Sequence, residues 1–121
     1  MKKIVLMVMA MLSLTNMNVN AENENTNTTQ DVEAYDMTVN IRRLAVTLGL
    51  TVDQMEAVAD IHRNFQNEMM LAAYAEKDER AQLVDQAVKK DIRYMHYVLN
   101  QKQYRLYLQL LQATLVNRGL K

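Results

Sequence analysis

The chain has 121 residues, which sets room for one modest core, and its 14 basic and 14 acidic residues balance at neutral pH. It contains no Cys, which excludes disulfides, thiolate metal ligands and lipid attachment at a processed N-terminal Cys. The balanced charge gives no reason to expect nucleic acid as a partner.

Met1-Lys2-Lys3 is a short positive segment, followed by an apolar run from Ile4 to Leu14 and then polar residues leading to Val19-Asn20-Ala21. That order predicts a secretory signal peptide over residues 1–21, cleaved near Ala21, and therefore a periplasmic or secreted protein. The run is shorter than the ~20 residues that span a bilayer, so no transmembrane segment is expected in the mature chain. Residues 22–30 hold no apolar side chain and predict a disordered leader. Residues 31–121 remain as a single helical domain.

Charge is unevenly spread. From Glu22 to Asp85 there are 13 acidic and 5 basic residues, whereas from Gln86 onward Asp91 is the one acid against 7 bases. The C-terminal helices are therefore expected to carry a basic surface, matched either by neighbouring helices or by acidic partners or anionic lipid.

A first helix is predicted from about Asp31 to Leu48, with Met37, Ile41, Leu44 and Leu48 on one stripe and Gly49 as its left-handed cap. Leu50-Thr51-Val52-Asp53-Gln54 then reads as a capping box, with Thr51 as N-cap, Gln54 three residues later and Leu50 placed to staple. The second helix runs from about Val52 to Ala75. Its stripe is Met55, Val58, Phe65, Met69 and Ala72, interrupted by His62. A third helix, about Glu79 to Val98, carries Ala81, Val84, Val88, Met95 and Val98, interrupted by Asp91. Folding these two as an antiparallel hairpin around Lys77 sets Val58 opposite Met95, Phe65 opposite Val88 and His62 opposite Asp91. A buried His62 to Asp91 hydrogen bond or ion pair is the expectation, serving as a register-fixing polar layer. The alternative is one continuous helix from Thr51 to Leu99, which would need a partner chain to bury its stripe.

Leu99-Asn100-Gln101-Lys102-Gln103 repeats the capping box loosely, with Asn100 as N-cap and Gln103 as its partner. The last helix follows, with Tyr104, Tyr107, Leu108, Leu111 and Leu115 on its core face. Leu106 and Leu110 lie off that line and, with Met70, Tyr94, Tyr97, Tyr107, Arg93 and Arg105, form the predicted interaction surface. Met residues at helical spacing read as core filling, with Met70 beside the stripe as the exception. The fold class is all-α, about four helices around a central antiparallel hairpin.

No catalytic motif is present. The chain after residue 21 has no Ser or Cys, so His62 and Asp91 have no nucleophile to serve. Metal binding needs three or four converging ligands, and His62 and His96 fall in different layers. Neither a metal nor any other cofactor is expected.

The Leu50-Thr51-x-x-Gln54 sequence, with its echo Leu99-Asn100-x-x-Gln103 after a helical hairpin, resembles the LTxxQ pattern of the Spy/CpxP family of periplasmic stress proteins. The resemblance covers about residues 37–118, and Asn100 departs from the family's Thr. It implies a bent helical hairpin with further helices, commonly paired as a cradle-shaped homodimer, and an ATP-independent chaperone or envelope-stress role toward unfolded clients or an envelope partner. Some relatives bind zinc or other metals, so periplasmic metal sensing or buffering is an alternative function. A structural or regulatory protein with one dedicated target is another.

Overall fold

The computed structural model describes residues 32–121, and the signal peptide and leader expected over 1–30 lie outside the described residues. Four α-helices are described: α1 (Ile41–Leu48), α2 (Val52–Ala73), α3 (Arg80–Val98) and α4 (Gln101–Asn117). No strand occurs among the described residues.

The segment before α1 departs from the single helix expected from Asp31 to Leu48. Residues 32–34 make one helical turn, 36–40 are not helical, and α1 starts at Ile41. Local side chains break the helix. Asp36 Oδ1 accepts the Thr38 backbone N–H at 3.0 Å and the Thr38 hydroxyl at 2.6 Å, and Asn40 Oδ1 accepts the Arg43 N–H at 3.1 Å as N-cap. Short polar side chains that satisfy nearby backbone groups in this way compete with helix continuation.

Helix α1 ends as its residues predict. Gly49 takes φ 70°, its N–H donates to Val46 O and the Leu50 N–H donates to Ala45 O, the paired bonds of a Schellman cap. The chain turns directly into α2. Between α2 and α3, residues 74–79 reverse the chain without Gly or Pro, so the hairpin forms and the continuous helix does not. Glu79 occupies the N-cap of α3 and makes no side-chain cap bond; Arg80 Nε donates to Ala75 O at 3.1 Å instead, closing the turn from the helix side.

Val58, Phe65, Met69 and Ala72 of α2 pack with Val84, Ala87 and Met95 of α3, and α1 and α4 cover this layer with Leu44, Leu48, Tyr107, Leu110, Leu111 and Leu115. Met69 and Met95 are wholly buried, each contributing about 2 kcal/mol by removal of its side chain from water. Ala81, expected on the core stripe of α3, is exposed, and Ala87 takes the core position.

Helix α4 is rotated from its expected setting. Gln103, Tyr107, Leu110, Leu111, Thr114 and Leu115 are buried, whereas Tyr104 and Leu108 are half-buried. The cause is Gln103, which faces into the molecule to meet Gln54. Positions 107, 110, 111 and 114 share its face at helical spacing and follow it inward. At the far end Gly119, at φ 73°, ends the helix in a second Schellman pair, Gly119 N–H to Val116 O and Leu120 N–H to Leu115 O.

Candidate interaction surface and buried polar centre

The two capping boxes form one unit. In α2, Thr51 Oγ1 accepts the Gln54 N–H at 3.1 Å and Gln54 Oε1 accepts the Thr51 N–H at 3.0 Å. In α4, Asn100 Oδ1 accepts the Gln103 N–H at 2.8 Å and Gln103 Oε1 accepts the Asn100 N–H at 2.9 Å. The two carboxamides then bond each other, Gln54 Nε2 to Gln103 Oε1 at 2.8 Å and Gln103 Nε2 to Gln54 Oε1 at 3.2 Å. Each amide's other bond is to the carbonyl two residues before the opposite N-cap: Gln54 donates to Val98 O at 3.1 Å and Gln103 to Gly49 O at 2.9 Å. Two donors and two acceptor sites on each amide are thereby used, and the two helix starts are tied by a local pseudo-two-fold arrangement.

His62 and Asp91 are both buried, as their places on the stripes predict, but they are not hydrogen-bonded to each other. His62 Nε2 donates to the Met37 carbonyl at 2.6 Å, linking α2 to the segment before α1. A carbonyl only accepts, so the bond fixes the tautomer with the proton on Nε2, and Nδ1 carries a bare lone pair. Burial holds the imidazole below its ordinary pKa, with the Met37 carbonyl acting weakly the other way. Asp91 Oδ2 instead accepts the Tyr107 hydroxyl, which joins α3 to α4. His62 Nδ1 and Asp91 Oδ1 are buried with no hydrogen-bond partner. Desolvation pushes the Asp91 carboxyl up to about 7 against the Tyr107 hydrogen bond, and the charge of Glu68 adds to the rise. Burial beside Asp91 also drives the Tyr107 phenol well above its ordinary value. Helical spacing places Tyr107 on the core face of α4 but does not single out Asp91 as its partner, because that pairing depends on how α3 and α4 pack. Met37, moved out of the helix by the Asp36 turn, supplies the His62 partner through its backbone.

A buried guanidinium lies at the end of α4. The Arg118 guanidinium donates to the carbonyls of Glu33, at 3.2 Å, and of Asp36. It holds the first described turn against the end of α4.

The predicted interaction surface divides. Tyr94 and Tyr97 are exposed, as are Arg93 and Arg105, whereas Met70 and Leu106 are half-buried. Tyr107 and Leu110 are buried in the core and belong to no surface, which corrects their place in the predicted interaction surface: Tyr107 keeps its core-face position, and Leu110 is turned inward by the rotation of α4. Leu71 and Tyr74, 69% and 74% exposed, were missed. Their signal was available, since both stand off the α2 stripe where a polar residue would be expected. Leu71 borders an open groove between α2 and α3 of about 300 Å³, walled also by Glu68, Leu83, Gln86, Ala87 and Lys90. Lys90 and Glu68 bridge it at 2.8 Å. The hairpin thus presents Leu71 near the end of α2, Tyr74 as its C-cap, and Tyr94 and Tyr97 from α3.

Among the described residues no group of three or more His, Cys, Asp or Glu side chains is placed to hold a metal ion, and no helix is long and apolar enough to cross a membrane. Comparison of the chain with protein-family models, with curated proteins and with solved structures finds no match.

Proposed function

We propose that the chain is an exported, non-enzymatic binding protein with a Spy/CpxP-like role, holding unfolded or partly folded proteins in the periplasm without ATP. The observation that carries this reading is the set of large apolar side chains left outward on the hairpin, Leu71, Tyr74, Tyr94 and Tyr97, on a domain too small to leave them there without cost to solubility. Rigid amphipathic Tyr side chains beside an exposed Leu suit contact with varied apolar segments. The joining of Thr51, Gln54, Asn100 and Gln103 into one clasp supports the family resemblance, because it gives the repeated cap motif a shared structural purpose.

The test is suppression of aggregation of an unrelated unfolding protein by the purified chain, with chelator present and no nucleotide. Protection near equal molar amounts is the expected result. The double substitution Leu71→Glu with Tyr97→Glu should reduce that protection several-fold while leaving the melting temperature within a few degrees, since both side chains are exposed. Absence of protection would shift the reading to a protein with one dedicated target, and protection only after zinc is added would revive metal buffering. Light scattering of the free chain tells whether two copies pair.

A further inference from the structure

We infer that the corner where α3 meets α4 docks an extended, acidic segment of a partner protein. This rests on the reading of the chain as a protein-binding domain, and adds where the partner sits and what chemistry it brings.

From Gln86 to Lys121 the one acidic residue is Asp91, which is buried on Tyr107, so this part of the chain offers no carboxylate to its own surface. Two of its surface cations are matched from elsewhere, Lys89 by Asp85 at 3.0 Å and Lys90 by Glu68 at 2.8 Å. Arg93, Lys102 and Arg105 are exposed, and none has an ion-pair or hydrogen-bond partner among the described residues. Lys102 and Arg105, three apart on α4, share a face. Of these, Lys102 and Arg105 stand together at the corner, where uncompensated like charges repel one another and an anionic ligand relieves that repulsion.

Two open grooves meet there, both bordered by Gln101 and Arg105. One, about 600 Å³, adds Lys102, Leu106 and Gln109, and the other, about 430 Å³, adds His96 and Tyr104. The rings of His96 and Tyr104 stand edge to face with centroids 4.8 Å apart, bracing α3 against α4 at this wall. The chemistry favours a peptide. Gln101 and Gln109 each offer a donor and an acceptor, as a peptide backbone requires, Leu106 gives an apolar rest, and the cations meet acidic side chains. A phosphate headgroup plane would use the cations alone and leave the carboxamide acceptors and the grooves without a counterpart.

The experiment is fluorescence anisotropy with the purified protein and a labelled 12-residue peptide alternating Glu with Leu or Ala, against the same peptide with Gln in place of Glu. At low salt the Glu peptide should bind at least about ten-fold tighter than the Gln peptide, and the preference should shrink as salt rises. Lys102→Glu with Arg105→Glu should abolish the preference, whereas Arg63→Glu on α2 should leave it unchanged. Position 102 lies in the first turn of α4, where an acid is tolerated by the helix dipole, and circular dichroism verifies that the double variant folds. Equal affinity for both peptides, or a preference that survives the double variant, overturns the inference. So does binding to phosphatidylglycerol vesicles that needs Lys102 and Arg105 while the Glu peptide does not bind. Aggregation suppression without acidic preference removes this inference and leaves the chaperone reading; acidic-peptide binding without suppression does the reverse.

Discussion

Gln54 and Gln103, 49 positions apart, exchange hydrogen bonds between their side-chain amides at 2.8 and 3.2 Å while each closes the capping box of its own helix. One residue type at one spacing therefore sets a helix start, fixes the rotation of α4 and ties α2 to α4.

Replacement of Gln103 by Ala should cost about 2–3 kcal/mol, because it leaves the Gln54 amide, the Gly49 carbonyl and the Asn100 N–H each short of a partner in a part-buried site. Urea denaturation measures it. The Gln54→Ala, Gln103→Ala double variant should lose clearly less than the sum of the two single losses, since either change already breaks the shared clasp. Strict additivity would mean that the two boxes act independently.

Asp91 makes stability depend on pH in the direction opposite to most carboxylates. Its folded value, about 7, lies above its ordinary 3.8, so the fold binds this proton more tightly than the unfolded chain does. Its contribution is complete below about pH 4 and is lost as pH rises through 7. Asp91→Asn, which cannot ionise, should therefore abolish a decline of about 3 kcal/mol between pH 4 and pH 7.5, read as the difference between variant and wild-type denaturation midpoints across that range. A constant difference would place the carboxylate in contact with water.

His62 works the other way. Its folded value is lowered, so its contribution is present above its ordinary 6.5 and is lost as pH falls. Protonation would put an N–H on Nδ1, which has no acceptor. His62→Ala should cost about 2–4 kcal/mol by releasing the Met37 carbonyl and enlarging the adjoining cavity of about 40 Å³ that Met37, Phe65 and Leu111 line. Hydrogen exchange should accelerate first in residues 36–40. An unchanged exchange pattern there would deny the tether.

Arg118→Ala should free the Glu33 and Asp36 carbonyls and detach residues 32–36 from the end of α4, at a cost of about 1–3 kcal/mol. Limited proteolysis should show new cleavage in that segment before the helical hairpin is cut. Arg118→Lys should rescue only partly, because an ammonium is more strongly hydrated than a guanidinium and costs more to bury among carbonyls.

Local chemistry was readable without the fold. Thr51 with Gln54, Asn100 with Gln103, and Gly49 in the left-handed region announce helix ends through bonds made within a few residues, and the spacing of Val58, Phe65 and Met69 against Val84 and Met95 announces two faces that bury each other. These depend on neighbours in sequence or on periodicity, both printed in the chain. The break at Asp36 was also local, but Asp, Thr and Asn permit either a helix or a turn, and burial of Met37 outside the helix decided between them. The tertiary structure alone settled which polar groups meet. His62 took a backbone carbonyl from a displaced segment, Asp91 took Tyr107, and Arg118 took carbonyls 82 and 85 positions away. Apolar faces need only oppose one another, and many registers satisfy them; a hydrogen bond demands a distance and an angle, which exist only once the helices and the segment before α1 have packed.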